Sequence, residues 1–463
     1  SAASDVYKRQ LLLVQQGVAQ DFSNKGKEFW VGYGSHVSMY NSNGTVNNTS
    51  GGSQQMILYF TSDRNANVTV SIPGLGWSRS YTVIANQVTP SDLIPKVGAT
   101  DARIFAEGKT NRGIRITSDV PIIAYAHIYN GSVSGATLLF PTTTLSREYY
   151  SINFTQSSND PNSFSYAYVI ATEDNTNIEI IPSVNTVNNK TGDTIRVLLN
   201  RGEVYNVFGR VINAALGEDL TGTRIRSVAT PGNPCKKIAV FSGSGKMNIQ
   251  CNGASNGSAD NNIQQAFPAN AWGKRYLTAP TSRMPFNYYR ICVSDPTAIV
   301  RRNGVQLTGL IRNFYYEYLG NTADLIESDK PIMVAQYITT REFCGNTRFT
   351  NSSNQSLGDP EMIYLSPLEQ TIDKVTINST PNAFINEHWL NVVVKRTAAA
   401  SVRVDGLVPA ATPLTHPRDA AYSYFQIPLS QGAHTITSDS GFNAIAYGYG
   451  LSLIHISEPT RPY

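Results

Sequence analysis

Four passages of this chain follow one pattern, and that pattern limits the architecture more than any single motif does. They are RGIRITSDVPIIAYAHI (112–128), TRIRSVATPGNPCKKIAVFSGS (223–244), ADLIESDKPIMVAQYI (323–338) and AHTITSDSGFNAIAYGYG (433–450). Each has a short alternating stretch, a serine, a polar turn and then an apolar run. The serines are Ser118, Ser227, Ser328 and Ser438. They stand roughly a hundred residues apart, which marks one supersecondary unit copied in tandem.

The repeat is wider than its serine turn. Each unit opens on an aromatic or β-branched strand: GKEFWVGYG (26–34), REYYSINFT (147–155), GKRYLTAPT (273–281) and DKVTINSTP (373–381). Two strands joined by a short turn follow, at 56–74, 166–183, 288–304 and 389–406. The first three units close on a proline link: LLFPTTTLS (138–146), QAFPANAW (265–272) and YLSPLEQT (364–371). Val, Ile, Tyr, Phe and Thr alternate with polar residues, and no window has helical period, so the chain reads as all-β. The expected fold is four antiparallel β-sandwich-like repeats of ~100 residues each, at 27–146, 147–272, 273–372 and 373–450. The alternative is a closed ring of four large β units. Long Asn/Ser/Gly-rich inserts, such as Met39–Gln55 and Phe343–Asp359, are the expected recognition loops.

The two ends read as translated sequencing adapter. DVYKRQ can be encoded GAT GTG TAT AAG AGA CAG, whose reverse complement encodes LSLIHI, and both strings are present near the termini. Residues 1–10 and 451–463 are therefore set aside from fold reasoning. Leu11–Ala19 reads as the tail of a truncated signal peptide, with Gly17 and Ala19 before the cut. The alternative there is a buried first strand.

The formal charge is +4, and no Lys/Arg run occurs, so neither nucleic acid nor an anionic membrane is an expected partner. No stretch approaches the ~20 apolar residues of a membrane span. Charged residues are sparse, as in an extracellular β protein. Cys235, Cys251, Cys292 and Cys344 are disulfide candidates, an even count in an exported chain. Cys235–Cys251 and Cys292–Cys344 are the favoured pairs. The alternative is free thiols; zinc is not expected, because no CxxC spacing accompanies them.

No catalytic constellation stands out. Gly253–Gly257 matches G-x-S-x-G but lacks a flanking strand and helix. Ser244-Gly245-Lys246 lacks the first glycine and the Ser/Thr of a phosphate loop. His36, His127, His388, His416 and His434 are scattered. The turn acids Asp63, Glu173, Asp174 and Asp295 have a calcium reading. Turn stabilisation explains them, and likewise Asp119, Asp329 and Asp439, without a metal. Neither a metal nor a cofactor is expected. N-x-S/T sequences at Asn67, Asn130 and Asn153 would accept glycans in a eukaryotic host. Trp30, Trp77, Trp272 and Trp389 are candidate contact residues, with a core reading for Trp30.

VTVSIPGLGWSRSYTVIANQV (68–88), the stretch 113–150, YVIATEDNTNIEIIP (168–182), GDPEMIYLSPLEQ (358–370) and GFNAIAYGYG (441–450) resemble the amino-terminal domain of the IgGFc-binding protein family. The mammalian namesake is a secreted mucosal protein said to bind the Fc region of IgG and to associate with mucins. Many other members are exported or surface proteins of Gram-negative bacteria. The resemblance implies a secreted or cell-surface, non-catalytic adhesion module, binding an extracellular glycoprotein or glycan. The competing expectations are an accessory domain of a carbohydrate-active enzyme and a passive surface spacer.

Overall fold

The computed structural model describes residues 24–41, 43–48, 54–131, 133–157, 162–213, 216–249, 259–340, 359–379, 385–450 and 454–457. The expected signal segment and the first adapter segment lie outside them. So do most of the Phe343–Asp359 insert, Cys251, Cys344 and Gly253–Gly257. The chain is nearly all β, in several antiparallel sheets with short 3-10 turns between strands.

Three of the four repeated serines, Ser118, Ser328 and Ser438, sit within a long strand rather than in a reversing turn. Ile114–Tyr129, Leu325–Ile338 and Gly432–Gly450 are continuous strands. Gly26 pairs with Ile122 but Glu28 with Thr117, so residues 118–121 bulge out of the ladder. The same shift separates Gly273↔Ile332 from Arg275↔Glu327, and Ile372↔Phe442 from Lys374↔Thr437. A bulge bends a strand and raises its twist, and it tolerates Pro121 and Pro331. Asp119 accepts the Asn67 backbone N–H (2.8 Å), and Asp329 accepts that of Ile299 (2.7 Å). In the second group the insert around Pro231–Cys235 turns the bulge into a loop between Arg224–Ser227 and Ile238–Met247.

The bend lets one strand serve two layers. Opening strands (Gly26–Val31, Glu148–Tyr150, Gly273–Leu277, Ile372–Ser379) pair with its first part. Inner strands (Gln55–Thr61, Ser165–Ala171, Asn287–Val293, Ile385–Lys395) pair with its second part. Apolar side chains fill the space between the layers. In the second group Ala167, Val169 and Val240 meet Tyr149, Ile178, Ile180 and Ile225; in the fourth, Leu390, Val392 and Val394 join Ile377, Phe425 and Ile436.

Exit strands also pair with the second part: Ser134–Leu138, Asp260–Gln265 and Glu361–Tyr364, and, from within the segment that reads as adapter, Ile454–Ser457. They pack on one another in that order, and the last returns to the first. The groups therefore sit around a common axis. The axis is polar where side chains are described: Gln264 Nε2 donates to Met362 O (3.0 Å), and Phe140 N–H donates to Gln265 Oε1 (2.7 Å). Gly135 is required there, since a Cβ would stand 2.8 Å from the Asn261 carbonyl oxygen.

Successive groups are joined by one recurring position. Tyr59, Tyr168, Arg290 and Asn391 each pair with the residue three beyond the end of the bend: Tyr125, Phe241, Ala335 and Ile445. Tyr168 Oη donates to Gly32 O (3.0 Å) and accepts its N–H (3.2 Å). Arg290 Nη1 donates to Asn153 O (2.8 Å), and Asn391 Nδ2 to Pro280 O (2.9 Å). Between the fourth and first groups, Tyr125 Oη donates to Thr376 O (3.5 Å). Arg290 also pairs with Asp219 (2.6 Å). Burial would raise the Asp219 pKa, but Arg290 and Arg312 outweigh it and hold the carboxyl below its usual range.

Glu361 is 0 % exposed, and among the described residues its Oε2 has no hydrogen-bond partner. Burial, aided by Asp359, pushes its pKa well up. Folding then takes up a proton, so stability falls as pH rises from the normal carboxylate range through the raised value. Glu361→Gln is expected to raise urea stability by about 1–3 kcal/mol at pH 8 and to change little at pH 4. Equal effects at both pH values would contradict this.

Candidate binding clefts between the β groups

The seam between the first and second groups carries a cleft of about 510 Å³. The first group supplies Glu28 from its opening strand and Thr142 and Thr143 from its proline link; the second supplies Thr172, Glu173, Asp174, Arg201 and Lys237. Glu28 accepts from Arg115 Nε (2.7 Å) and Arg201 Nη2 (2.5 Å). Burial alone would raise its pKa, but the two guanidinium groups outweigh burial and hold Glu28 ionised. Both cations lie 5.9 Å from the centre of the Trp30 ring, which is fully buried. Gly202, at φ +82°, backs onto that ring; a Cβ there would stand 3.1 Å from Cζ3. Lys237 Nζ donates to Thr143 O (2.7 Å), Thr172 Oγ1 to Lys237 O (2.7 Å), and Arg201 N–H to Asp174 Oδ1 (3.0 Å).

A second cleft, of about 290 Å³, occupies the corresponding place between the fourth and first groups. The turn after the inner strand contributes again, here with Ser62 and Asp63. Asn86, in the turn after Trp77–Val83, stands where Arg201 stands in the other cleft, and Thr376 comes from the opening strand. Lys25 pairs with Asp63 (3.0 Å), and Asp405 accepts the Thr435 N–H (2.8 Å).

Arg275 occupies the register of Glu28, each facing the residue before its repeat serine. Arg275 pairs with Asp419 (2.6 Å) across the seam of the third and fourth groups. The Glu28–Arg201 bridge thus recurs with its charges exchanged.

Of the turn acids, Glu173 and Asp174 face the first cleft and Asp63 the second, whereas Asp295 stays within its own group. Asp295 accepts the N–H and hydroxyl of Thr297 (2.8 and 2.7 Å), and its hydrogen bond to Lys330 pulls its pKa down to about 2. Among the described residues, no three His, Cys, Asp or Glu side chains gather to hold a metal. His36, His127, His388, His416 and His434 are buried. Burial drops His36 to about 4 and His127 to about 3, so both are neutral at pH 7. Trp30 and Trp272 are buried, so they belong to the scaffold; Trp77 and Trp389 are half-buried. Asn153 is 0 % exposed and cannot carry a glycan in the folded chain. Ser244–Lys246 lies within the strand Ile238–Met247. Cys235 is half-buried; Cys292 is buried, which in the reduced state pushes its thiol up to about 12.

Sequence reading did not find Arg201, Lys237 or Thr143, because each matters only through its partner on another group. Arg290 did carry a signal: a charge in the middle of the apolar strand YYRICV. The cleft gathers Glu28, Glu173 and Asp174, yet Glu28 is held ionised and cannot donate a proton. Glu361, with its raised pKa, lines neither cleft.

The Glu28–Arg201 bridge is partly exposed, so its coupling should be modest. A double-mutant cycle with Glu28→Ala and Arg201→Ala is expected to give about 0.5–1 kcal/mol, falling in 1 M salt. Zero coupling at low salt would contradict the assignment.

Among the described residues, no helix is long and apolar enough to cross a membrane. Comparison with curated proteins returned no match. The family model described as IgGFc binding protein matches residues 135–448, from the first exit strand into the last long strand. The chain belongs to the IgGFc-binding protein family.

Proposed function

We propose that this chain is an exported, non-catalytic recognition module that binds an extracellular glycoprotein or glycan. The observation that carries the reading is the polar cleft between the first two groups. It is open and rich in hydroxyl and charged groups, and it is braced from beneath by Trp30 and two arginines. Small ligands bind in preformed concave sites of this size, ~300–1,000 Å³. Grooved seams favour recognition over a passive spacer. Family membership supports an extracellular binding role, with mucin, glycan and Fc-like ligands in scope.

The same reading takes the four strand groups as copies of one unit, with boundaries at 27–146, 147–272, 273–372 and 373–450. It takes 11–19 as a signal remnant, the terminal segments 1–10 and 451–463 as adapter, and the source as a Gram-negative bacterium. Disulfides Cys235–Cys251 and Cys292–Cys344 belong to it too. The chain would then correspond to the amino-terminal domain of a family member.

The test is an array carrying mucins, IgG Fc and assorted glycans, probed with the whole chain made under oxidising conditions. Saturable binding to one class is expected. Silence from protein shown to be folded would contradict the recognition reading and favour the spacer.

A further inference from the structure

We infer that the cleft between the first and second groups binds a neutral hexose or N-acetylhexosamine residue. This rests on the recognition reading above and names its site and ligand class. A sugar hydroxyl both donates and accepts, so its site needs both kinds of partner side by side. Glu173 and Asp174 offer acceptors, Lys237 an ammonium donor, and Thr142 and Thr143 hydroxyls that do either. Glu173, Asp174 and Thr143 are exposed, so a ligand can reach them.

Charge selects among sugars. Three carboxylates and two cations line the cleft, and Glu28 and Arg201 already neutralise one another. Arg115, just outside the lining, also pairs with Glu28, so the charges at the site balance and neither an anionic nor a cationic sugar is favoured over a neutral one. The same acids are not gathered for a metal among the described residues. The site is also pre-organised. Lys237 is tied to the Thr143 carbonyl, Asp174 to the Arg201 N–H, and the Arg201 guanidinium rests over Trp30. Little ordering cost is then left for binding.

Position supports the assignment independently. The fold leaves a groove at this place on two seams. In the fourth-to-first seam it narrows to about 290 Å³ and takes in the apolar Ile123 and Ala433. The first seam leaves the larger opening, lined by hydroxyl and charged side chains.

The experiment is saturation-transfer NMR with calorimetry on the whole chain. The probes are methyl glycosides of galactose, N-acetylgalactosamine, N-acetylglucosamine, mannose, glucosamine and N-acetylneuraminic acid. Thr143→Trp fills the cleft from an exposed position. Ser80→Trp, on the exposed strand Trp77–Val83, is the control. A neutral glycoside should bind, lose at least tenfold in affinity in Thr143→Trp and keep it in Ser80→Trp. Unchanged affinity in Thr143→Trp would overturn the inference, as would preference for the neuraminic acid or glucosamine probe. If no glycoside binds while the chain still binds a mucin or Fc on the array, the cleft assignment fails and the recognition function stands. Silence in both assays overturns both.

Discussion

The carbonyl groups at the ends of the opening strands are buried against the next group, so they need a donor from that group. Tyr168, Arg290 and Asn391 supply it from equivalent register on three successive inner strands. The side-chain types differ from seam to seam. The tyrosine reaches with a hydroxyl, and the arginine adds a buried pair with Asp219. Removing one partner of such a pair leaves an uncompensated buried charge, at a cost of about 3–5 kcal/mol. These contacts fix the angle between neighbouring groups, and that angle decides how wide each surface groove opens.

The bend after each serine is the local device behind this geometry. It lets one strand close a sandwich with its first part and present its second part to the axis. Without it the opening and exit strands would compete for one ladder. The seams then differ mainly in charge. Glu28–Arg201 and Arg275–Asp419 bridge corresponding gaps with opposite polarity. A seam needs opposite charges across the gap, whichever side bears the carboxylate, so the surface chemistry can vary while the scaffold holds.

Much of the scaffold is legible in the sequence. Alternation marks the strands, and the repeated serines mark the bends. The proline links mark the passage between groups. What reads as a polar turn is a bulge, because Ser-Asp-x-Pro in sequence looks alike in both; only the register shift separates them. The clefts are not legible. Glu28 and Arg201 are 173 residues apart, and no local pattern announces that they meet. Trp30 reads as a contact or a core residue, and its position under two arginines settles it as floor.

The groups close around one axis rather than extending in line. Small-angle X-ray scattering of the monomer in dilute solution measures this directly. A closed arrangement of a chain this long should give a radius of gyration of about 23 Å, the value for a compact chain. A value well above roughly 35 Å, as for beads in a row of separate compact domains, would contradict the account.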